Sequence, residues 1–300
     1  MLLESDAHLS IHINTALQDA CRFNRIDIIK VLLQSLGSTP INIPTVTYVL
    51  NKGIEFNRPD IAKHVLDKYD HSLFDMKGIF TEACYNGKFE ILGSLISLVD
   101  HKLLDMNKAI YAAFDKSPNI SLQVIELLVT HIDHSSLDMA TIREILHRAC
   151  RNNEINKIKN LVAHFDNLTL DMKTAMNNAY RYFCSKKSLF SYKNEDLRIM
   201  EFLAGAVDNT LLGIDSLMND ACRDENLLVV QWLVENVDNT LFDVKTAIDC
   251  AIGEDKEDDD DSEFFNFEII DFLLKRLVTE DVLPYITKIH RLMRVALLPL

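Results

Sequence analysis

One short pattern returns along the middle of this chain at a nearly fixed interval. It reads Tyr69-Asp70-His71-Ser72-Leu73-Phe74-Asp75-Met76 and then Val99-Asp100-His101-Lys102-Leu103-Leu104-Asp105-Met106. It recurs from Asp133 to Asp138, from Asp166 to Asp171, after Asp208 with Gly213 in the second Asp place, and from Asp238 to Asp243. The leading aspartates are 30, 33, 33, 42 and 30 residues apart. A period of this size marks stacked repeats rather than one globular core. A unit of about 30 residues is too small to bury its own apolar face, so neighbours must cover one another.

Composition agrees with this reading. The chain has 300 residues, 48% of them apolar, and only 8 Gly and 6 Pro, which disfavours a β-rich fold with many tight turns. Eight units align on one small residue: Ala20, Gly53, Ala83, Ala113, Ala149, Ala179, Ala221 and Ala251. A short helical stretch precedes each anchor, and an amphipathic one follows, such as Ile28-Ile29-Lys30-Val31-Leu32-Leu33 or Val229-Val230-Gln231-Trp232-Leu233-Val234. Apolar residues at i, i+3 and i+4 give helical periodicity. Four residues after the anchor stand Asn24, Asn57, Gly87 and Asn153, residue types that accept a left-handed backbone at a helix end.

The recurrent acids invite a catalytic or metal reading, but their repetition favours another. A catalytic acid is needed once, whereas a cap is needed in every copy. Asp75, Asp105, Asp171 and Asp243 precede the first helices and suit capping of free N–H groups. Asp70, Asp100, Asp133, Asp166, Asp208 and Asp238 fall in the connections, where Asp beside His or Asn suits a turn. His71, His101 and His134 share a place that Asn167, Asn209 and Asn239 fill elsewhere, so the histidine serves the turn rather than proton transfer. Cys21, Cys84, Cys150 and Cys222 each follow an anchor. They lie at least two repeats apart, too far for disulfides, and are expected as small, reduced core residues.

With this register the unit resembles the ankyrin repeat. Thr15-Ala16-Leu17-Gln18-Asp19-Ala20-Cys21-Arg22-Phe23-Asn24 and Thr246-Ala247-Ile248-Asp249-Cys250-Ala251-Ile252 are the copies nearest the family text. No copy carries the family's Thr-Pro-Leu-His tetrapeptide, and the finger between units is short. The form is similar to divergent ankyrin repeats of large DNA viruses, amoebae and their intracellular bacteria. The resemblance implies an all-α or nearly all-α helix-pair solenoid with short finger connections. The implied organisation is an N-terminal cap over 1–12, eight repeats over 13–277 and a C-terminal capping helix over 278–300. Swellings interrupt the repeats at 183–194 and 253–263. By analogy with the family's concave groove, the partner-binding residues are Arg22, Phe23, Phe56, Tyr85, Lys116, Arg151, Arg181, Tyr182 and Arg223, types that anchor interfaces.

The implied function is a scaffold or interaction module that binds another protein, one with an acidic segment, and performs no catalysis. Two alternatives stand beside it: a pathogen-derived effector or adaptor that recruits host machinery such as a ubiquitin ligase, and an enzyme with a cryptic site in the inserted loops. No nucleophile elbow, phosphate loop or His-Glu-x-x-His occurs, and no catalytic residue, metal ligand or cofactor is assigned. The acidic run Asp258–Asp261 lacks the alternation and Gly of a calcium loop. A net charge of −14 disfavours nucleic acid. With no long apolar run and no basic, apolar leader, the expectation is an intracellular, cytoplasmic monomer without a membrane anchor.

Overall fold

The computed structural model describes residues 13, 15–35, 43–115, 118–131, 137–186, 197–253, 266–277 and 286. Among these the regular structure is helical throughout, as expected of a helix-pair solenoid. The chain divides into two compact units: residues 1–145 with 156–164, and residues 146–155 with 165–300.

The first unit holds α1 (residues 15–22), α2 (Ile26–Ser35), α3 (Ile43–Glu55), α4 (Pro59–Lys68), α5 (Met76–Tyr85), α6 (Phe89–Leu98), α7 (Met106–Phe114) and α8 (Pro118–His131). Two further helices, α9 (Met139–Arg151) and α10 (Ile155–His164), contribute residues to both units. The second unit holds α11 (Met172–Ser185), α12 (Arg198–Ala206), α13 (Ile214–Arg223), α14 (Leu227–Asn236), α15 (Val244–Ile252) and α16 (Phe267–Leu277). In the first unit, first helices pack on first helices (α3 on α5, α5 on α7) and second helices on second helices (α4 on α6, α6 on α8). In the second unit α13 packs on α15 and α14 on α16. This order is what a stack of equivalent helix pairs requires.

The anchors make the close approach possible. Ala20, Gly53, Ala83, Ala113, Ala149, Ala179, Ala221 and Ala251 are all buried. The core between pairs is aliphatic with a few large rings, among them Phe80, Phe114 and Phe183, each almost wholly covered. The swelling after Ala179 begins as helix, since α11 continues through Phe183 to Ser185; residues 187–194 lie outside the described residues. Gly253 ends α15, and the rest of the acidic swelling, 254–263, lies outside them too. So do residues 1–12 and all of 278–300 but residue 286.

Each connection is built by its aspartates. Asp70, Asp100, Asp208 and Asp238 each accept the amide N–H two residues on and open a short 3-10 turn. Asp166 does the same with Leu168 at 3.0 Å. Hydrogen bonding from those amides holds the Asp70, Asp208 and Asp238 carboxyls below the usual carboxylate range. The second aspartate of each pattern caps the following helix: Asp75 accepts from Gly78, Asp105 from Lys108, Asp171 from Thr174 and Asp243 from Thr246. The histidines of the pattern reach back to the preceding helix. His71 Nε2 lies 2.8 Å from the Leu66 carbonyl oxygen and His101 Nε2 3.0 Å from that of Ile96. Gly213, which stands where a capping Asp is expected, has φ +66°, and the Lys173 side-chain stem crosses it.

Candidate functional site

The inter-helix turns generate the candidate surface. The amide of Arg25 donates to the carbonyl of anchor Ala20 at 2.7 Å, while that of Asn24 donates to Cys21 at 3.2 Å. Arg58 to Gly53, Lys88 to Ala83, Glu154 to Ala149 and Asn226 to Ala221 repeat the first of these bonds at 2.7–3.0 Å. This pair of reverse bonds closes a helix when the residue before the last takes a left-handed backbone. Asn24, Asn57, Gly87 and Asn153 do so, with φ between 53° and 62°. In the seventh repeat Glu225 takes the same conformation, φ 55°, although its side chain offers no local reason for it. The two residues before each left-handed position are thereby held on the last half-turn of the first helix. Those are the positions from which the partner-binding residues were inferred.

In the first unit these positions are mainly aromatic. Phe23 is 66% exposed, and the Arg22 guanidinium carbon stands 5.9 Å from its ring centroid. The Arg22 carbonyl receives Arg58 Nη2 at 2.7 Å, which ties the first repeat to the second. Phe56 is half-buried beneath Lys52, whose ammonium lies 5.7 Å from the ring and pairs with Glu55. Tyr85 is 42% exposed. Lys116 lies outside the described residues.

In the second unit they are mainly basic. Arg151, Arg181 and Arg223 are exposed. Tyr182 is half-buried; Asn153 Nδ2 is 3.5 Å from its hydroxyl and Lys186 Nζ is 5.4 Å from its ring centroid. Arg223 pairs with Asp220 at 2.8 Å and donates from Nη2 to Cys250 Sγ at 3.6 Å. Beneath this surface Tyr180 is buried and donates to Asp224 at 2.8 Å. Burial, with the hydrogen bonding to Cys184 and Asp224, pushes the Tyr180 hydroxyl far up. The structure therefore divides the inferred row into an aromatic part and an arginine part, each on its own unit.

Sequence reasoning missed several residues. Lys157 reads as a surface lysine but is 2% exposed, its Nζ 2.9 Å from the Phe114 carbonyl oxygen and 4.3 Å from that ring's centroid. Ile28, Val31 and Leu168 are apolar yet 48%, 63% and 74% exposed. No spacing rule separates these cases, because each depends on what a neighbouring repeat presents. The anchor cysteines behave as expected: Cys21, Cys84, Cys150 and Cys222 are buried and unbridged. Burial pushes the thiols up, to about 11 in Cys21 and about 12 in Cys150 and Cys222, so little of the reactive thiolate forms near neutral pH.

Among the described residues no cluster of three or more His, Cys, Asp or Glu side chains is arranged to hold a metal ion. Among them, too, no helix is long and apolar enough to cross a membrane. The family model for the ankyrin repeat matches residues 12–46, which span the first helix pair and the beginning of α3. A search of curated proteins returns no match. Ankyrin repeats serve in general as protein-interaction modules and imply protein partners. A matched repeat at the start, the same turn closure in five repeats, and first-on-first, second-on-second helix stacking in each unit give this chain an ankyrin repeat at residues 12–46 and an architecture similar to that of ankyrin-repeat proteins.

Proposed function

We propose that this protein is a non-catalytic scaffold that binds a partner protein through the C-terminal ends of its first helices. This surface corresponds to the concave face of ankyrin-repeat proteins. What supports the reading is one observation: the same register position carries an exposed arginine in three consecutive repeats, Arg151, Arg181 and Arg223. On a chain of net charge −14, three equivalent cations are a local exception, and the partner segment that fits them is acidic. Arg22, Phe23, Phe56 and Tyr85 add an aromatic dock on the first unit, of the type that supplies interface energy. The protein acts as a monomer, and its six unbridged cysteines, five of them buried, fit a reducing, cytoplasmic setting.

The test is affinity capture with the wild type, an arginine variant (Arg151→Glu, Arg181→Glu, Arg223→Glu) and an aromatic variant (Phe23→Ser, Tyr85→Ser). Circular dichroism checks the fold of each. All five substituted positions but Tyr85 carry little packing, so both variants keep the helical spectrum. The principal partner of the wild type is lost from the arginine variant and weakened in the aromatic one. A partner retained by both folded variants refutes the surface.

A further inference from the structure

The three equivalent arginines are not equally engaged. Arg223 is tied to Asp220 at 2.8 Å and reaches Cys250 Sγ at 3.6 Å. Arg181 is exposed and makes no hydrogen bond or ion pair with another described residue. It also stands in the middle repeat of the three. The acids able to neutralise it lie in the turn of the next repeat, where Asp220, Asp224 and Glu225 are all within three residues of Arg223.

Two of these acids are already engaged, and Glu225 takes the left-handed position past the row. Asp220 is held by Arg223. Asp224 is held by Tyr180, which stands where Cys21, Cys84, Cys150 and Cys222 stand in their repeats. A tyrosine at that place is long enough to cross from α11 to the turn of the seventh repeat. Tyr180 is only 2% exposed, and its hydroxyl donates to Asp224 Oδ2 at 2.8 Å and lies 3.4 Å from the Asp220 carbonyl oxygen. A donor aimed at a carboxylate makes a charge-assisted bond, stronger than a neutral one. It draws the carboxylate toward the ring, beneath the arginine row. Deprived of that donor, Asp224 turns to a cation, and Arg181 is the next residue of the helix that carries Tyr180.

We propose that Arg181 is the principal anchor for the partner's acidic segment, and that Tyr180 is a positioning residue that keeps Arg181 available by holding Asp224. The inference rests on the arginine row as the partner surface and names the residue within it that grips the ligand. Tyr180 does not touch the partner; it acts through Asp224 alone.

The test uses a fluorescein-labelled oligoglutamate peptide, titrated with the full chain at low and high salt and followed by fluorescence anisotropy. Among Arg151→Gln, Arg181→Gln and Arg223→Gln, the change at Arg181 weakens binding most, by about ten-fold against about three-fold for the others. Tyr180→Phe removes only the hydroxyl and weakens binding about three-fold, the worth of the exposed Arg181–Asp224 pair that then competes. Asp224→Asn does not weaken it. Combining Tyr180→Phe with Asp224→Asn abolishes the loss, because no carboxylate is left to be released. Circular dichroism confirms that each variant keeps its helices. A double variant as weak as Tyr180→Phe alone assigns the tyrosine to packing and overturns its role. Arg181→Gln with no more effect than the other two overturns the anchor. Both of these results leave the arginine row standing. A peptide that the wild type does not bind, or binds no better than the Arg151→Glu, Arg181→Glu, Arg223→Glu variant does, refutes the row and this inference with it.

Discussion

Lys157 offers the sharpest test of how these repeats stack. It occupies the place eight residues after its anchor that Ile61, Ile91 and Val229 fill elsewhere, and it is as buried as they are. Its ammonium sits at the last carbonyl of α7 and over the Phe114 ring. Three attractions act there. A charge-assisted hydrogen bond contributes about 1.5–3 kcal/mol, the ring about 2 kcal/mol when desolvated, and the α7 C-terminus up to about 2 kcal/mol. Against them stands a desolvation cost of several kcal/mol for the ammonium. The charge therefore comes close to neutral on balance, and most of the net worth of the side chain lies in the volume that it fills. Lys157→Met keeps that volume and restores the apolar type of the other repeats, so its stability falls within about 1 kcal/mol of wild type. Lys157→Ala empties the site and costs about 3 kcal/mol. Lys157→Glu places an anion against a carbonyl oxygen and costs about 4 kcal/mol or more. Urea unfolding followed by far-UV circular dichroism measures all three, with the slope checked for constancy. If Met and Ala are equally damaging, the charge and not the packing decides, and this accounting is wrong.

Three other outcomes follow from the same structure. Glu225→Asn relieves a left-handed backbone that glutamate adopts poorly and stabilises by about 0.5–1 kcal/mol; no gain in the urea midpoint contradicts the strain. Gly213→Ala meets both φ +66° and the Lys173 Cγ at 2.6 Å from the added Cβ, and costs about 1–2 kcal/mol by the same assay. Asp70, Asp138, Asp208, Asp238 and Asp243 all have folded pKa values below their ordinary one. Their contribution is thus fully present above the usual carboxylate range, near pH 4, and is lost as pH falls through the lowered folded values. Thermal unfolding from pH 7 to pH 3 records a falling midpoint below about pH 4, and replacing all five with Asn flattens that fall.

Much of this protein was legible in order along the chain. The period, the helix pairs, the capping aspartates and the left-handed Asn and Gly positions all follow from hydrogen bonds that close within two to five residues, so the residue types that make them stand side by side. The candidate row was legible for the same reason, since its members sit at a constant distance from the anchor. What each member touches was not. Arg22 was readable as a candidate groove residue, but not that Arg58 would cap its carbonyl from the next repeat.

By itself, then, the sequence determined that this is an ankyrin-like array, where most of its turns fall, and which side chains stand at them, because local backbone geometry decides those matters. Tertiary structure alone decided which of two similar residues is covered. Lys157 is buried and Val31 exposed because burial depends on the surface that a neighbouring repeat brings up, such as the end of α7, 43 residues from Lys157 in the chain.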